Sequence, residues 1–165
     1  MTPRAPISVR QVAPTTTPDG ALIAQLVDLF LEARRARLQF LIDLHDLDED
    51  RNFFRSVVLP ANQMYLAEAG GAAAGFIAFA NGWVNHLYVA PQFQGRGVGT
   101  QLLGIAQQAN PSLQLWVFEV NEPAIRFYEA RGFRLVERTD GAGNEAKRPD
   151  VRMRYDARPR DSATL

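Results

Sequence analysis

The chain is expected to fold as a single mixed-sheet α/β domain, mostly antiparallel, with helices on both faces. Three observations carry that expectation. Short apolar strands joined by Gly70-Gly71 and by Asn81-Gly82 form an antiparallel meander. Beyond Pro91 the pattern changes to helix, strand, helix and two strands, which calls for crossovers that lay helices over the sheet. A length of 165 residues with 47% hydrophobic content suits one core rather than two.

Each element follows from its residues. Ile7–Val12 alternates apolar and polar positions, as a half-buried strand does. Asp19 is placed to cap a helix in which Ile23, Leu26, Val27 and Phe30 recur at helical spacing. Glu32–Arg37 continues that helix, with Arg34, Arg35 and Arg37 read as a solvated face in preference to a substrate-facing one. Asp48-Glu49-Asp50 gives a second helix an acidic first turn, favourable against its dipole. Phe53, Phe54 and Val57 are expected on its buried side and Pro60 at its end. The meander strands are Met64–Ala69, Ala73–Ala80 and Trp83–Val89. Val98, Leu102, Ile105, Ala106 and Ala109 then mark a helix that stops near Pro111. Leu113–Val120 is an apolar strand, and Pro123–Arg131 a short helix with Asn121 as cap and Gly132 as a left-handed C′ residue. Phe133–Arg138 and Val151–Tyr155 close the sheet across the turn-rich Asp140–Asn144. The domain is thus assigned to residues 7–156, with 1–6 and 157–165 expected to be disordered.

Composition removes several function classes. Eighteen Lys and Arg balance eighteen Asp and Glu, whereas a broad nucleic-acid surface needs a clustered cationic excess. Without cysteine there is no disulfide, thiolate nucleophile or thiolate metal site. His45 and His86 lie in different segments, so no metal is expected. The first residues lack a secretory layout and no apolar run is long enough for a bilayer, so the expected location is cytoplasmic, away from membranes.

The chemistry is concentrated at Gly95, Gly97 and Gly99, between a buried strand and an apolar-periodic helix. Glycine lets a backbone approach a ligand closely, and a helix start offers unsatisfied N–H donors and a positive dipole end. Phosphate or pyrophosphate is the natural guest. A Walker loop would need Gly-Lys-Ser/Thr, and Lys147 is the only lysine. The dinucleotide fingerprint needs Gly-x-Gly-x-x-Gly, a different spacing.

Gln94-Gly-Arg-Gly97-Val-Gly99 does resemble the Gln/Arg-x-x-Gly-x-Gly/Ala signature of the GCN5-related N-acetyltransferase (GNAT) family. Asn121-Glu-Pro-Ala-Ile-Arg-Phe127-Tyr128-Glu-Ala-Arg-Gly132-Phe133 is similar to that family's second block, Asn-x-x-Ala-x-x-Phe-Tyr-x-x-x-Gly-Phe. The resemblance implies a splayed central strand pair holding acetyl-coenzyme A as co-substrate. It implies that Leu87, Tyr88 and Val89 line the pantetheine arm, with the Val89 N–H on the thioester oxygen. Gln94, Gly95, Arg96, Gly97, Val98, Gly99 and Thr100 would surround the pyrophosphate, the Arg96 side chain either adding charge or pointing into water. Asn121, Ala124, Phe127 and Tyr128 would close the cleft, Asn121 both bonding a pantetheine amide and capping its helix. Tyr128 would protonate the departing thiolate, since a phenol lies near or slightly above an alkyl thiol in pKa.

The general base stays open between His86, Glu119 and ordered water, because Trp83–His86 has no carboxylate. The acceptor is a small-molecule or peptide amine, in a pocket between the first two helices and the hairpins. There His45, Asp46, Asp48, Glu49 and Asp50 either meet a cationic amine or only cap a helix. Two rivals stay open: a coenzyme A-binding module without turnover, and a transferase acting on a tRNA- or protein-bound amine. The last strands offer an edge for a homodimer.

Overall fold

The computed structural model describes residues 4–14 and 18–159, apart from the side chains of Ile42 and Asp43. The ends expected to be disordered, 1–6 and 157–165, lie partly outside those residues. In chain order the elements are β1 (Ile7–Val12), α1 (Gly20–Arg37), α2 (Leu47–Phe53), α3 (Leu59–Ala61), β2 (Gln63–Ala69), β3 (Ala72–Ala80), β4 (Trp83–Val89), α4 (Val98–Ala109), β5 (Ser112–Phe118), α5 (Glu122–Glu129), β6 (Arg134–Thr139) and β7 (Asp150–Asp156). They form one seven-stranded sheet in the order β1-β2-β3-β4-β5-β7-β6.

Local chemistry sets the hairpins. Asn81 and Gly82 have φ of 52° and 78°, and Gly70 and Gly71 have φ of 58° and 82°, the paired positive values that two-residue hairpin turns require. The Asp19 carboxylate accepts from the Ala21 N–H and starts α1. Gly132, at φ 89°, ends the α5 segment as expected.

The sheet is nearly two sheets. Among the described residues β4 and β5 are its one parallel pair, and they share a single ladder position, Trp83 with Gln114. Beside it the Gln114 N–H donates to the Gly82 carbonyl at 2.8 Å. From there the strands part toward Val89 and Phe118, and the split is bounded by continuous antiparallel ladders, β3–β4 and β5–β7. Two cores hold the halves. On one face Ile23, Leu26 and Phe30 of α1 pack with Phe54, Val58, Leu66 and Phe76. On the other, Val98, Leu102 and Ala106 of α4 pack with Ile77, Leu113, Leu115 and Met153. A Cβ on Gly75 would stand 2.9 Å from the Tyr88 carbonyl oxygen and 3.0 Å from a Val98 methyl, so glycine is what lets α4 lie close to the split.

One expectation is corrected here. The second helix starts at a capping box between Asp46 and Glu49 and runs past Pro60 to Ala61 through a π turn at Phe54–Val58. Proline lacks an N–H and crowds the carbonyl four residues back; the wider π turn accommodates both. The turn also rotates the helix, so Phe54 and Val58 are buried while Phe53 and Val57 stay 40% and 48% exposed. Among the described residues no helix is long and apolar enough to cross a membrane.

Candidate functional site

The split opens into a cleft of about 470 Å³. Every position assigned to the coenzyme from sequence lines it, from Leu87–Val89 through Gln94–Thr100 to Asn121, Ala124, Phe127 and Tyr128, with the exception of Arg96. The Arg96 guanidinium instead donates to the Ala5 carbonyl at 2.8 Å and lies 5.4 Å from the Phe93 ring centre. It neither faces the cradle nor points into water, because the chain preceding β1 crosses within its reach.

Backbone geometry decides what the cleft offers. The Ala90 N–H donates to the Ala74 carbonyl at 2.9 Å. Hydrogen-bonded and non-hydrogen-bonded positions alternate in an antiparallel ladder, so the N–H and C=O of Leu87 and Val89 turn away from β3 toward the split. The Gln94 amide confirms the direction by donating to the Val89 carbonyl at 3.2 Å. Gly95 and Gly97, at φ 74° and 79°, hold the left-handed turns ahead of α4, and a Cβ at either would meet open space. Gly97 is the N-cap of α4 and has no side chain to give, so the first N–H groups of the helix remain available. Gly99 matters for packing instead: its Cβ would stand 3.2 Å from the Phe127 ring, so the absence of that atom seats α5 against α4.

Asn121 occupies the N-cap position of α5 yet makes no side-chain cap bond. Its Oδ1 is buried without a partner, and the residue lines the cleft. The capping half of its expected double role is therefore absent, and a buried acceptor is left without a partner among the described residues. Tyr128 is 8% exposed, with its ring edge against Phe127 and Phe133. Burial first, and Tyr88 second, push its pKa well above the usual phenol value.

The two base candidates part company. Glu119 is an exposed partner of Arg138 and lines no described cavity, so it leaves the site. His86 lies among the rings of Phe30, Phe53 and Phe54, with centroids 6.0 to 6.4 Å away. Burial, helped by Arg34, lowers its pKa to about 4, and its Nδ1 is buried without a partner. The imidazole is neutral at physiological pH and too weak a base to hold an amine's proton there.

Sequence reasoning missed the contribution of the arginines. Arg34 is not solvated: its guanidinium stacks 3.8 Å from the Phe30 ring centre and donates to the Tyr88 hydroxyl at 3.4 Å. Arg37 lines the cleft and donates to the Gln94 Oε1 at 3.3 Å. Arg131 lies 3.7 Å over the Phe127 ring and donates to the Thr100 hydroxyl at 3.0 Å and the Phe127 carbonyl at 2.8 Å, tying α5 to the start of α4. Arg34 and Arg37 sit three residues apart in the last turns of α1, so the arginine spacing there was the available signal. Asp50 is 6% exposed, with its pKa raised by burial and opposed by Arg34; it is not the open acidic group the sequence suggested.

Comparison with known proteins agrees with this geometry. A profile of the Acetyltransferase (GNAT) domain matches residues 60–135. The Escherichia coli peptidyl-lysine N-acetyltransferase YiaC is 35% identical over 94 residues, a match spanning 52% of this chain and 64% of the relative. An uncharacterized N-acetyltransferase of Archaeoglobus fulgidus is 30% identical over 112 residues, spanning 58% of this chain and 76% of the relative. Among solved structures, apo YjaB of Escherichia coli superposes with a TM-score of 0.70 at 24% identity, over 92% of this chain and 99% of its own. The PaiA N-acetyltransferase of Thermoplasma acidophilum in complex with coenzyme A superposes with a TM-score of 0.66 at 18% identity, over 92% and 99%. Split sheet, glycine turn, second block and relatives converge, and the chain belongs to the GNAT family of acetyltransferases.

Proposed function

We propose that the protein binds acetyl-coenzyme A in the split and transfers its acetyl group directly to a primary amine, with no covalent acyl-enzyme. The observation that carries this is that Asn121, whose Oδ1 is buried without a partner, lines the same cleft as Val89, whose N–H turns outward from β3. An amide of the pantetheine arm satisfies the first, and the thioester oxygen the second. The coenzyme supplies a thioester carbonyl that an amine can attack.

The rest is done by this chain. As the C–N bond forms, negative charge grows on the carbonyl oxygen, and the Val89 N–H donates to it; one such donor contributes about 3 kcal/mol to a barrier. As the C–S bond breaks, Tyr128 donates to the sulfur. Its raised pKa keeps the proton on the phenol at every working pH, so it acts first as a hydrogen-bond donor to the developing thiolate. The proton that completes the thiol is balanced by the one the amine nitrogen gives up. With the pKa of His86 so low, that proton is relayed through ordered water to bulk solvent.

The relative named a peptidyl-lysine N-acetyltransferase makes a protein-borne amine the first acceptor to try. Tyr128→Phe is expected to lower kcat about 100-fold with the acetyl-coenzyme A Kd unchanged, measured by thiol release and calorimetry. Equal kcat in mutant and wild type would take Tyr128 out of the mechanism. No binding by the wild type at millimolar coenzyme would end the whole reading.

A further inference from the structure

The transfer steps leave one phenol of the cleft unused. A smaller void of about 130 Å³ adjoins the coenzyme cleft, and among the described residues Tyr88 and Tyr128 are the two hydroxyl-bearing residues that line both spaces. Strand alternation sends Tyr88 to the α1 side of β4. There Phe30 meets its ring edge-on at 5.1 Å and Phe76 lies 5.8 Å away, centre to centre, which fixes the direction of the phenol. The Arg34 guanidinium, itself stacked 3.8 Å from the Phe30 ring centre, donates its Nε–H to the Tyr88 oxygen at 3.4 Å. A cation is therefore held on the oxygen of a phenol that borders both spaces. A phenol oxygen has one proton to donate and two lone pairs. Arg34 occupies one lone pair. One acceptor place and one donor place are left, the pair that a group needs to take a proton on one side and release one on the other.

We infer that Tyr88 is a proton relay in the transfer: its oxygen accepts the proton that the attacking nitrogen gives up, and its own proton passes to ordered water. Arg34 is the positioning residue that holds the phenol and steadies the negative charge that crosses its oxygen. The inference rests on the transferase reading above and names the first station on the proton's path to solvent. The protons balance. As the C–N bond forms and the C–S bond breaks, one proton leaves nitrogen for the Tyr88 oxygen and one leaves Tyr88 for water, so the phenol ends the cycle as it began. The sulfur stays with Tyr128, and the two phenols divide the two proton transfers. Arg34 suits its part because a guanidinium keeps its charge at every working pH and attracts negative charge on an oxygen beside it. The other ionisable groups nearby are otherwise engaged. His86 is held neutral by burial and by Arg34, with its Nδ1 buried. Asp50, on α2, is buried and lines neither space. Arg37 lines the cleft but donates to Gln94.

The test uses the full chain and Tyr88→Phe, which keeps the ring between Phe30 and Phe76 and removes only the hydroxyl. Thiol release from acetyl-coenzyme A is measured with a lysine peptide blocked at both ends, a lysine-free peptide with a free N-terminus, and spermidine, and the fastest of the three carries the comparison. At pH 7 Tyr88→Phe is expected to lower kcat at least about 10-fold, with the coenzyme Kd unchanged by calorimetry. The deficit is expected to shrink to about 3-fold or less near pH 9.5, where hydroxide takes the proton without a relay. Lost packing would leave the ratio the same at both pH values. Arg34→Gln, which keeps a donor without the charge, is expected to lower kcat about 10-fold in the wild-type background and less than about 2-fold beside Tyr88→Phe. Arg34→Lys, which keeps the charge, should recover part of that loss. A Tyr88→Phe enzyme with undiminished kcat, or with a deficit that does not change with pH, overturns the relay while leaving the transferase intact. Equal Arg34→Gln losses in the two backgrounds overturn its action through Tyr88. Should the Arg34 variants fail to fold, the Tyr88→Phe ratio decides alone. Coenzyme binding without turnover of any of the three amines, or no binding at all, would instead overturn the transferase reading on which this rests.

Discussion

Asn121 shows how one side chain separates a structural role from a functional one. An Asn at a helix start ordinarily contributes about 1 kcal/mol by capping. Here that bond is absent, so Asn121→Ala is expected to leave thermal stability within about 0.5 kcal/mol of wild type. The same change removes a buried acceptor from the cleft and should weaken coenzyme binding about 10-fold by calorimetry. A large drop in stability with unchanged affinity would return Asn121 to an ordinary cap. His86 gives a pH prediction. Its folded pKa, about 4, lies below the unfolded value of 6.5, so the unfolded chain takes up a proton first as pH falls. Stability contributed by the neutral imidazole is therefore complete above pH 6.5 and lost between about 6.5 and 4, amounting to roughly 3 kcal/mol at most. Asp50, with its raised pKa, acts in the opposite sense at the acid end. Denaturant titrations at pH 7 and 4.5 should show the wild type losing about 2 to 3 kcal/mol more than His86→Asn, and parallel losses would contradict the burial of His86.

At the scale of elements, the glycine turn and α4 divide their work among residues that look alike in sequence. Gly97 is held at φ 79°, so Gly97→Ala meets the left-handed penalty of about 1 to 2 kcal/mol and disturbs the cradle directly. Gly99→Ala is strained only by contact, its methyl driving at the Phe127 ring from 3.2 Å. It should cost about 1 to 3 kcal/mol, and a Phe127→Leu change in the same chain should recover part of that by chemical denaturation, while leaving Gly97→Ala uncorrected. The two blocks placed the cleft because their spacing fixes which strand ends and helix starts come together. They did not place side chains whose partners lie far along the chain. Arg96 turns to Ala5, Glu119 to Arg138, and neither pairing follows from any periodicity. The second helix failed for a local reason: an α-helical wheel cannot anticipate the π turn that Pro60 imposes, and so it put Phe53 and Val57 on the wrong face.

For the whole molecule, the consequence of the split is that two half-sheets are joined at one ladder position and otherwise through side chains. The splayed meeting of β4 and β5 came from the family resemblance, whereas the order β5-β7-β6 is legible only in the structure, since apolar runs alone do not rank strands as neighbours. A ligand lying in the split touches β4, the start of α4 and α5 together, and so joins what the backbone leaves apart. Binding to the folded state alone stabilises by about 2.7 kcal/mol at a hundredfold excess over Kd. In a domain of this size that raises Tm by about 5 to 10 °C. The location of the effect matters more than its size. Coenzyme should slow amide exchange at Leu87, Val89 and the first turn of α4, and leave β1 and β2, on the far side of the sheet, near their unliganded rates. Uniform slowing across all seven strands would mean only that global unfolding had become rarer. Slowing confined to β1 and β2 would mean that the coenzyme binds somewhere other than the split.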